Sequence, residues 1–207
     1  MMKAIAINGS PRSGGNTEIL LKKVFEPLEA AGWSTTYRRI GGKPVRGCIA
    51  CMKCGEKRNG RCIIEDDDIN DYLEQMYEAD AIILGSPTYF ADVTPELKAL
   101  MDRAGFVALA NGGLFSGKIG AAVVAVRRGG ATHVFDTINH MFLISSMIVP
   151  GSLYWNLGMG CLKGEVLGDD EAMRNMSHLG KTIAWLGKAI ASASDASPFP
   201  KLAVELR

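Results

Sequence analysis

The sequence predicts a doubly wound α/β fold, a five-stranded parallel sheet with helices on both faces. Three features carry this expectation. Short, continuously apolar runs recur at Ala4-Ile5-Ala6-Ile7, at Ala81-Ile82-Ile83-Leu84 and from Ile119 to Val126, as strands buried on both faces require. Between them the apolar residues fall three and four apart, the spacing of one helical face. Each run also stops at a turn signal: Asn8-Gly9-Ser10-Pro11, Gly85-Ser86-Pro87 and Arg127-Arg128-Gly129-Gly130. Strands alternating with helices imply parallel pairing, because parallel neighbours need a crossover.

The first strand, 4–7, gives way to a helix from Asn16 with Ile19, Leu20, Val24 and Leu28 on its apolar face and Gly32 closing it. A second strand spans 33–40, rich in Thr and aromatic residues. Residues 41–66 read as a loop, because their Gly, Lys and Arg content argues against regular structure. Asp68 caps a helix running through Leu73 and Met76 to Tyr77. After the third strand, Thr94-Pro95-Glu96 opens a helix with a cap and a first-turn proline, carrying Leu97, Leu100 and Met101 inward. The fourth strand is followed by a helix ending near Ser145, a fifth strand at 147–154 and a last helix over 169–191. Five such units fit the flavodoxin-like doubly wound order, in which ligands bind at the carboxyl ends of the strands. Those ends are the loops after Ile7, Leu84, Val126 and Leu153. With neither repeat nor linker in view, residues 1–193 read as one domain that includes the 41–66 loop, and 194–207 as a C-terminal tail.

Composition narrows the function. Apolar residues make up 47% and charged residues 22%, a globular balance and not a disordered one. A formal net charge of +1 provides no field for nucleic acid or an anionic membrane surface. The apolar stretches are too short to span a bilayer, and the chain enters a strand without a leader-like segment. The expectation is a soluble, cytoplasmic protein without nucleic-acid or membrane partners.

The segment Gly9-Ser10-Pro11-Arg12-Ser13-Gly14-Gly15-Asn16-Thr17 lies between the first strand and helix. Small residues let main-chain amides close on an anion at a helix N-terminus. Ser10, Ser13, Asn16 and Thr17 add side-chain donors, and Arg12 a fork matched to phosphate oxygens. Gly15-Asn16 stands where a nucleoside-triphosphate loop needs Gly-Lys, and the dinucleotide fingerprint is missing too. A hydroxyl-lined loop with little charge suits one terminal phosphate, as in FMN. Pro87, Thr88, Tyr89 and Phe90 follow the third strand, where a flat ring could rest. Arg127, Arg128, Gly129 and Gly130 follow the fourth, where amides and arginine could face its polar edge.

Taken together, the Ser10–Thr17, Ser86–Tyr89 and Arg127–Gly130 motifs resemble the NADPH-dependent FMN reductase and flavodoxin-like quinone reductase superfamily over about residues 2 to 190. The resemblance implies non-covalently bound FMN and a homo-oligomer, dimeric or tetrameric. It implies that Ser10, Arg12, Ser13, Asn16 and Thr17 hold the phosphate. It places Pro87, Thr88, Tyr89 and Phe90 on the ring, with Arg127, Arg128, Gly129 and Gly130 at its other side.

Four of the five cysteines, Cys48, Cys51, Cys54 and Cys62, fall within fifteen residues, and Cys161 stands alone as a buried or incidental thiol. In a reducing compartment such a cluster points to metal or redox chemistry. Three cysteines at i, i+3 and i+6 can converge on an iron–sulfur cubane. Structural zinc favours two separated Cys-x2-Cys pairs, and free or disulfide-forming thiols remain a third reading. The motif resembles the compact cysteine motif of iron–sulfur flavoproteins, a branch of the same superfamily. That resemblance implies four ligands to a [4Fe–4S] cluster and electron transfer between a ferredoxin-like donor and FMN. Lys53, Lys57, Arg58 and Arg61 make the loop basic, and Glu65 to Asp68 read as caps for the next helix. His133, His140 and His178 read as surface or interface residues, and Phe90, Val93, Phe106 and Phe115 as an exposed oligomer patch.

The leading function is therefore an FMN oxidoreductase passing electrons between a cluster and FMN, with no obligatory catalytic side chain. The alternatives are an NAD(P)H-dependent FMN or quinone reductase without a cluster, and a zinc-stapled binding module.

Overall fold

The computed structural model describes residues 1–194 and 198–200. In chain order the elements are β1 (Lys3–Asn8), α1 (Asn16–Ala30), β2 (Ser34–Arg39), α2 (Lys53–Lys57), α3 (Ile69–Glu78), β3 (Ala81–Pro87), α4 (Pro95–Ala110), β4 (Ile119–Val126), α5 (Ala131–Ile144), β5 (Leu157–Met159) and α6 (Asp170–Ser194), with a short 3-10 turn at Glu165–Gly168. The sheet runs β2-β1-β3-β4-β5 with every pair parallel. This is the flavodoxin-like order that the alternation of strands and helices predicts.

Successive strand residues face opposite sides of a sheet, and both sides are buried. Ile5, Ile7, Ile82, Leu84, Val124 and Val126 meet Leu73, Leu97, Leu100, Ile138 and Phe142 on the side of α3, α4 and α5. Ala4, Ala6, Ile83, Ala121, Val123 and Ala125 meet Leu20, Leu21, Val24, Met176, Leu179 and Ile183 on the side of α1 and α6. Each fully buried Leu or Ile contributes ~1.5–3 kcal/mol. Two covered faces leave the strand ends as the place where loops and ligands can gather.

The predicted fifth strand is displaced. Residues 147–154 make one isolated bridge, Ile148 to Ile119, and then leave the sheet at Pro150, which has no amide to donate. The chain returns at Leu157–Met159, pairing Val124 with Leu157 and Val126 with Met159. The strand end beside β4 is accordingly Met159, and not Leu153.

Three smaller expectations change. The 41–66 loop holds one helical turn, α2. The Asp68 side chain makes no cap bond; Asp67 Oδ1 accepts the Ile69 amide at 3.1 Å instead. Val93 and Phe115 are buried, the latter ring tilted against Tyr77 at 5.6 Å. Of the residues read as a C-terminal tail, Ser194 ends α6 and the Phe199 ring lies over Gly117; residues 195–197 and 201–207 lie outside the described residues.

Candidate functional site

The cleft at the strand ends starts from Asn8, buried at the end of β1. Its Oδ1 accepts the Ser10 amide at 2.8 Å and its Nδ2 donates to the Tyr37 hydroxyl at 2.9 Å. Burial pushes the Tyr37 hydroxyl up to about 12, so it stays protonated. Gly9 donates to Gly85 O at 2.7 Å, and Thr94 Oγ1 donates to Gly9 O at 2.9 Å. The start of the loop is thus tied to β3 and to the first turn of α4. A Cβ on Gly41 would lie 2.2 Å from Gly9 O and 2.3 Å from Ser10 C; only glycine lets the end of β2 come this close.

The rest of the loop curls through Gly14, whose φ of +61° favours glycine. The Gly14 amide donates to Glu18 Oε2 at 2.8 Å. Desolvation would raise the Glu18 carboxyl, but the Lys22 ammonium and the Gly14 amide outweigh it and hold it below its ordinary value. The amides of Asn16, Thr17 and Glu18 open α1, where no intrahelical acceptor exists, and no hydrogen bond from them is found among the described residues. They are donors available to an anion.

Three further strand ends complete an open cleft. Pro87, Thr88 and Tyr89 come from β3, Val126 and Arg127 from β4, and Gly160 and Cys161 from the segment after β5. Thr88 donates its amide to Ala125 O at 2.9 Å, yet its buried hydroxyl has no partner. A buried hydroxyl without a partner carries a desolvation cost, and this one belongs to a residue that lines the cleft.

Of the predicted site residues, Ser10, Arg12, Asn16, Thr17, Pro87, Thr88, Tyr89 and Arg127 line this cleft. Ser13, Phe90, Arg128, Gly129 and Gly130 flank it and are exposed. Phe90 and Ala91 hold left-handed backbone, at φ 45° and 70°, an uncommon state for bulky residues. The Asn16 side chain is largely committed: its Nδ2 donates to Leu162 O at 3.0 Å and its Oδ1 accepts the Gly164 amide at 2.9 Å. It braces the segment after β5 over the loop. Arg12 adds a second tie, Nη1 to Cys161 O at 3.1 Å. Lys163 went unnoticed in the sequence; its ammonium sits where a Cβ on Gly14 would be 3.0 Å away. No local motif marks it.

The cysteine loop forms a second site. Cys48, Cys51, Cys54 and Cys62, all free thiols, line one small, mostly apolar pocket against Arg103 and Phe106 of α4. Ala50 and Met52 take left-handed backbone, at φ 52° and 59°, strain that clusters at functional sites. The Ala50 amide donates to Cys48 Sγ at 3.4 Å. Asn70 clasps the far end, its Oδ1 accepting from the Cys62 amide at 2.8 Å and its Nδ2 donating to Cys62 O at 3.0 Å. Burial pushes the Cys54 thiol up. Among the described residues no three His, Cys, Asp or Glu side chains stand close enough to hold a single metal ion.

A parallel sheet of this order, with free first-turn amides after its first strand and a cleft walled by its strand ends, is the frame of a flavodoxin-like FMN-dependent oxidoreductase. A model of the NADPH-dependent FMN reductase family matches residues 2–160, and the chain belongs to that family. It is 39% identical over 196 residues to an iron–sulfur flavoprotein of Methanocaldococcus jannaschii, covering 91% of this chain and 99% of the relative. It is 32% identical over 183 residues to an iron–sulfur flavoprotein of Archaeoglobus fulgidus, covering 88% and 79%. Among solved structures, RosB with a bound formylated riboflavin phosphate intermediate superposes with a TM-score of 0.67 at 17% identity, over 100% of this chain and 92% of that one. An archaeal flavodoxin superposes with a TM-score of 0.59 at 20% identity, over 90% and 99%. These two share the fold.

Proposed function

We propose that this FMN-dependent oxidoreductase carries electrons between FMN in the cleft and a [4Fe–4S] cluster held by Cys48, Cys51, Cys54 and Cys62. The observation that carries the reading is the convergence of all four thiols on one apolar cavity. A cubane presents a separate iron to each of four thiolates, and the loop supplies four. The names of the similar archaeal proteins support it.

Bound FMN supplies the hydride and single-electron chemistry, and the side chains bind and orient. Ser10, Ser13 and Thr17, with the first-turn amides of α1 and the cations Arg12 and Lys163, hold the phosphate. Asn16 keeps the 160–164 segment closed over it. Pro87, Thr88, Tyr89 and Phe90 border the ring on one side, and Arg127, Arg128, Gly129 and Gly130 on the other. The family description favours NADPH as one donor, and the basic rim at Lys57 and Arg58 suits an acidic, ferredoxin-like one.

The test is iron and sulfide content in anaerobic protein, with reduction by ferredoxin compared against NADPH. About four of each per chain, and a ferredoxin route lost in Cys51→Ala with FMN retained, would support the reading. Iron-free protein whose flavin is reduced rapidly by NADPH would overturn it, leaving an NAD(P)H-dependent FMN or quinone reductase with free thiols.

The reading includes a homo-oligomer. Phe106 on α4 and Leu143 and Ile144 on α5 are exposed, an apolar stretch that a subunit contact would cover. Light scattering that finds a flavin-loaded monomer at micromolar concentration would refute it. Among the described residues no helix is long and apolar enough to cross a membrane.

A further inference from the structure

We infer that Arg103 is the positioning residue of the cysteine site: it sets the placement of Cys62 and the reduction potential of the group the four cysteines hold. The inference rests on the iron–sulfur reading above. Arg103 lies mid-helix on α4, with Ala99, Leu100, Phe106 and Val107 one turn away on either side, and its side chain is fully buried. A guanidinium is among the costliest groups to remove from water, and an apolar side chain in the same place is often as stable or more so. Stability alone therefore does not account for an arginine here.

Its hydrogen bonds do. Nε donates to Cys62 Sγ at 3.3 Å. Nη1 donates to Asp67 Oδ2 at 2.5 Å and to Arg46 O at 3.1 Å, and Nη2 to Ile64 O at 2.8 Å. Three of the four acceptors belong to the cysteine loop, and Asp67 follows its last residue. Arg46 enters the loop two residues before Cys48, and Ile64 and Asp67 follow Cys62. Asp67 works from the other side, Oδ2 accepting the Arg46 amide at 3.0 Å. One planar fork thus joins both ends of the loop to α4 and touches a sulfur. Arg103 is the only side-chain donor to a cysteine sulfur among the described residues. Hydrogen bonds to ligand sulfurs favour the more reduced, more negative state and raise the potential. The buried Asp67 carboxylate balances the cation, which leaves the N–H bond as the local influence on the sulfur.

The test uses the full chain with FMN bound, reconstituted anaerobically with iron and sulfide. Arg103→Lys keeps a cation opposite Asp67 but loses the fork; the double variant Arg103→Met, Asp67→Leu removes both charges so that neither is stranded. FMN content reports the fold, a redox titration followed by electron paramagnetic resonance reports the potential, and a chelator reports cluster retention. The expected result is retained FMN, a potential lowered most in the double variant and partly in Arg103→Lys, and cluster loss to chelator about 10-fold faster. A variant that keeps FMN and has the parent's potential and retention would overturn the inference alone. Loss of FMN from both variants would make Arg103 a general structural residue and overturn it equally. A parent chain that takes up no iron would sink the iron–sulfur reading, and the inference with it.

Discussion

The strand-end cleft and the cysteine loop belong to the same domain but are secured by opposite means. The cleft is built at the ends of β1, β3, β4 and β5, and its loops are tied by main-chain bonds such as Gly9 N to Gly85 O at 2.7 Å and Thr88 N to Ala125 O at 2.9 Å. The cysteine loop has one short helical turn and depends on side chains from elsewhere, Arg103 and Asn70. A site made of sheet ends inherits the sheet's rigidity. A site hung on a few buried polar side chains is only as well placed as those side chains.

Removing the loop's staple should have the largest effect. Arg103→Met alone strands the buried Asp67 carboxylate, and urea unfolding should show a loss of about 3–5 kcal/mol. Adding Asp67→Leu should recover most of it. A loss below about 1 kcal/mol for the single substitution, the range of an exposed pair, would mean that water reaches the pair and the two regions are held alike.

The cleft should yield only where its main chain is crowded. Gly41→Ala forces a methyl against Gly9 O and Ser10 C and should cost about 1–3 kcal/mol, as overpacking does. FMN affinity, measured by flavin fluorescence, should fall with it if the obstructed backbone holds the phosphate as proposed. Parent-like affinity would show that this loop can shift as freely as the cysteine loop.

Side-chain changes within the cleft should be milder. Thr88→Val removes a buried hydroxyl without a partner, so the flavin-free protein should be unchanged or gain up to about 1 kcal/mol. FMN affinity should drop severalfold. Unchanged affinity would take the Thr88 hydroxyl out of the flavin site.

The smallest difference concerns acid. Burial would raise the Asp67 carboxyl, but Arg103 and the amides of Arg46 and Ile69 prevail and hold it below its ordinary 3.8. A folded-state value below the unfolded one means stability that is complete above about pH 3.8 and is lost as pH falls through the lower folded value. Glu18 beneath the phosphate loop follows the same sign from its ordinary 4.5. Its contact with Lys22, whose side chain is 60% exposed, should weaken in high salt. Hydrogen exchange followed as pH falls below 3.8 should therefore show acid opening of the cysteine loop that salt leaves alone and Asp67→Asn abolishes. Salt should affect the phosphate loop. Equal salt sensitivity in both would erase the distinction.

Local pattern carried most of the cleft. Apolar runs marked β1, β3 and β4, turn residues marked their ends, and the Gly9–Thr17 segment declared an anion loop by its small size and donors. The cysteine spacing alone drew attention to 48–62. These features are legible because the physics is local: side chains alternate every two residues along a strand, apolar faces recur every three to four along a helix, and left-handed turns select glycine. What the tertiary structure decided were partnerships across long stretches of chain. The apolar run at 147–154 has strand character, but pairing register awards the β4 edge to Leu157–Met159 and so brings Gly160, Cys161 and Lys163 to the cleft. Asn16 reads as a phosphate donor until Leu162 and Gly164 claim its amide group. Val93 and Phe115 read as surface until the core covers them. Arg103 is one charged residue on a helix by sequence, and nothing within a few positions tells that it is buried. Its acceptors, from Arg46 to Asp67, lie 36 to 57 residues away, and only packing α4 against the cysteine loop brings a single side chain within reach of them all.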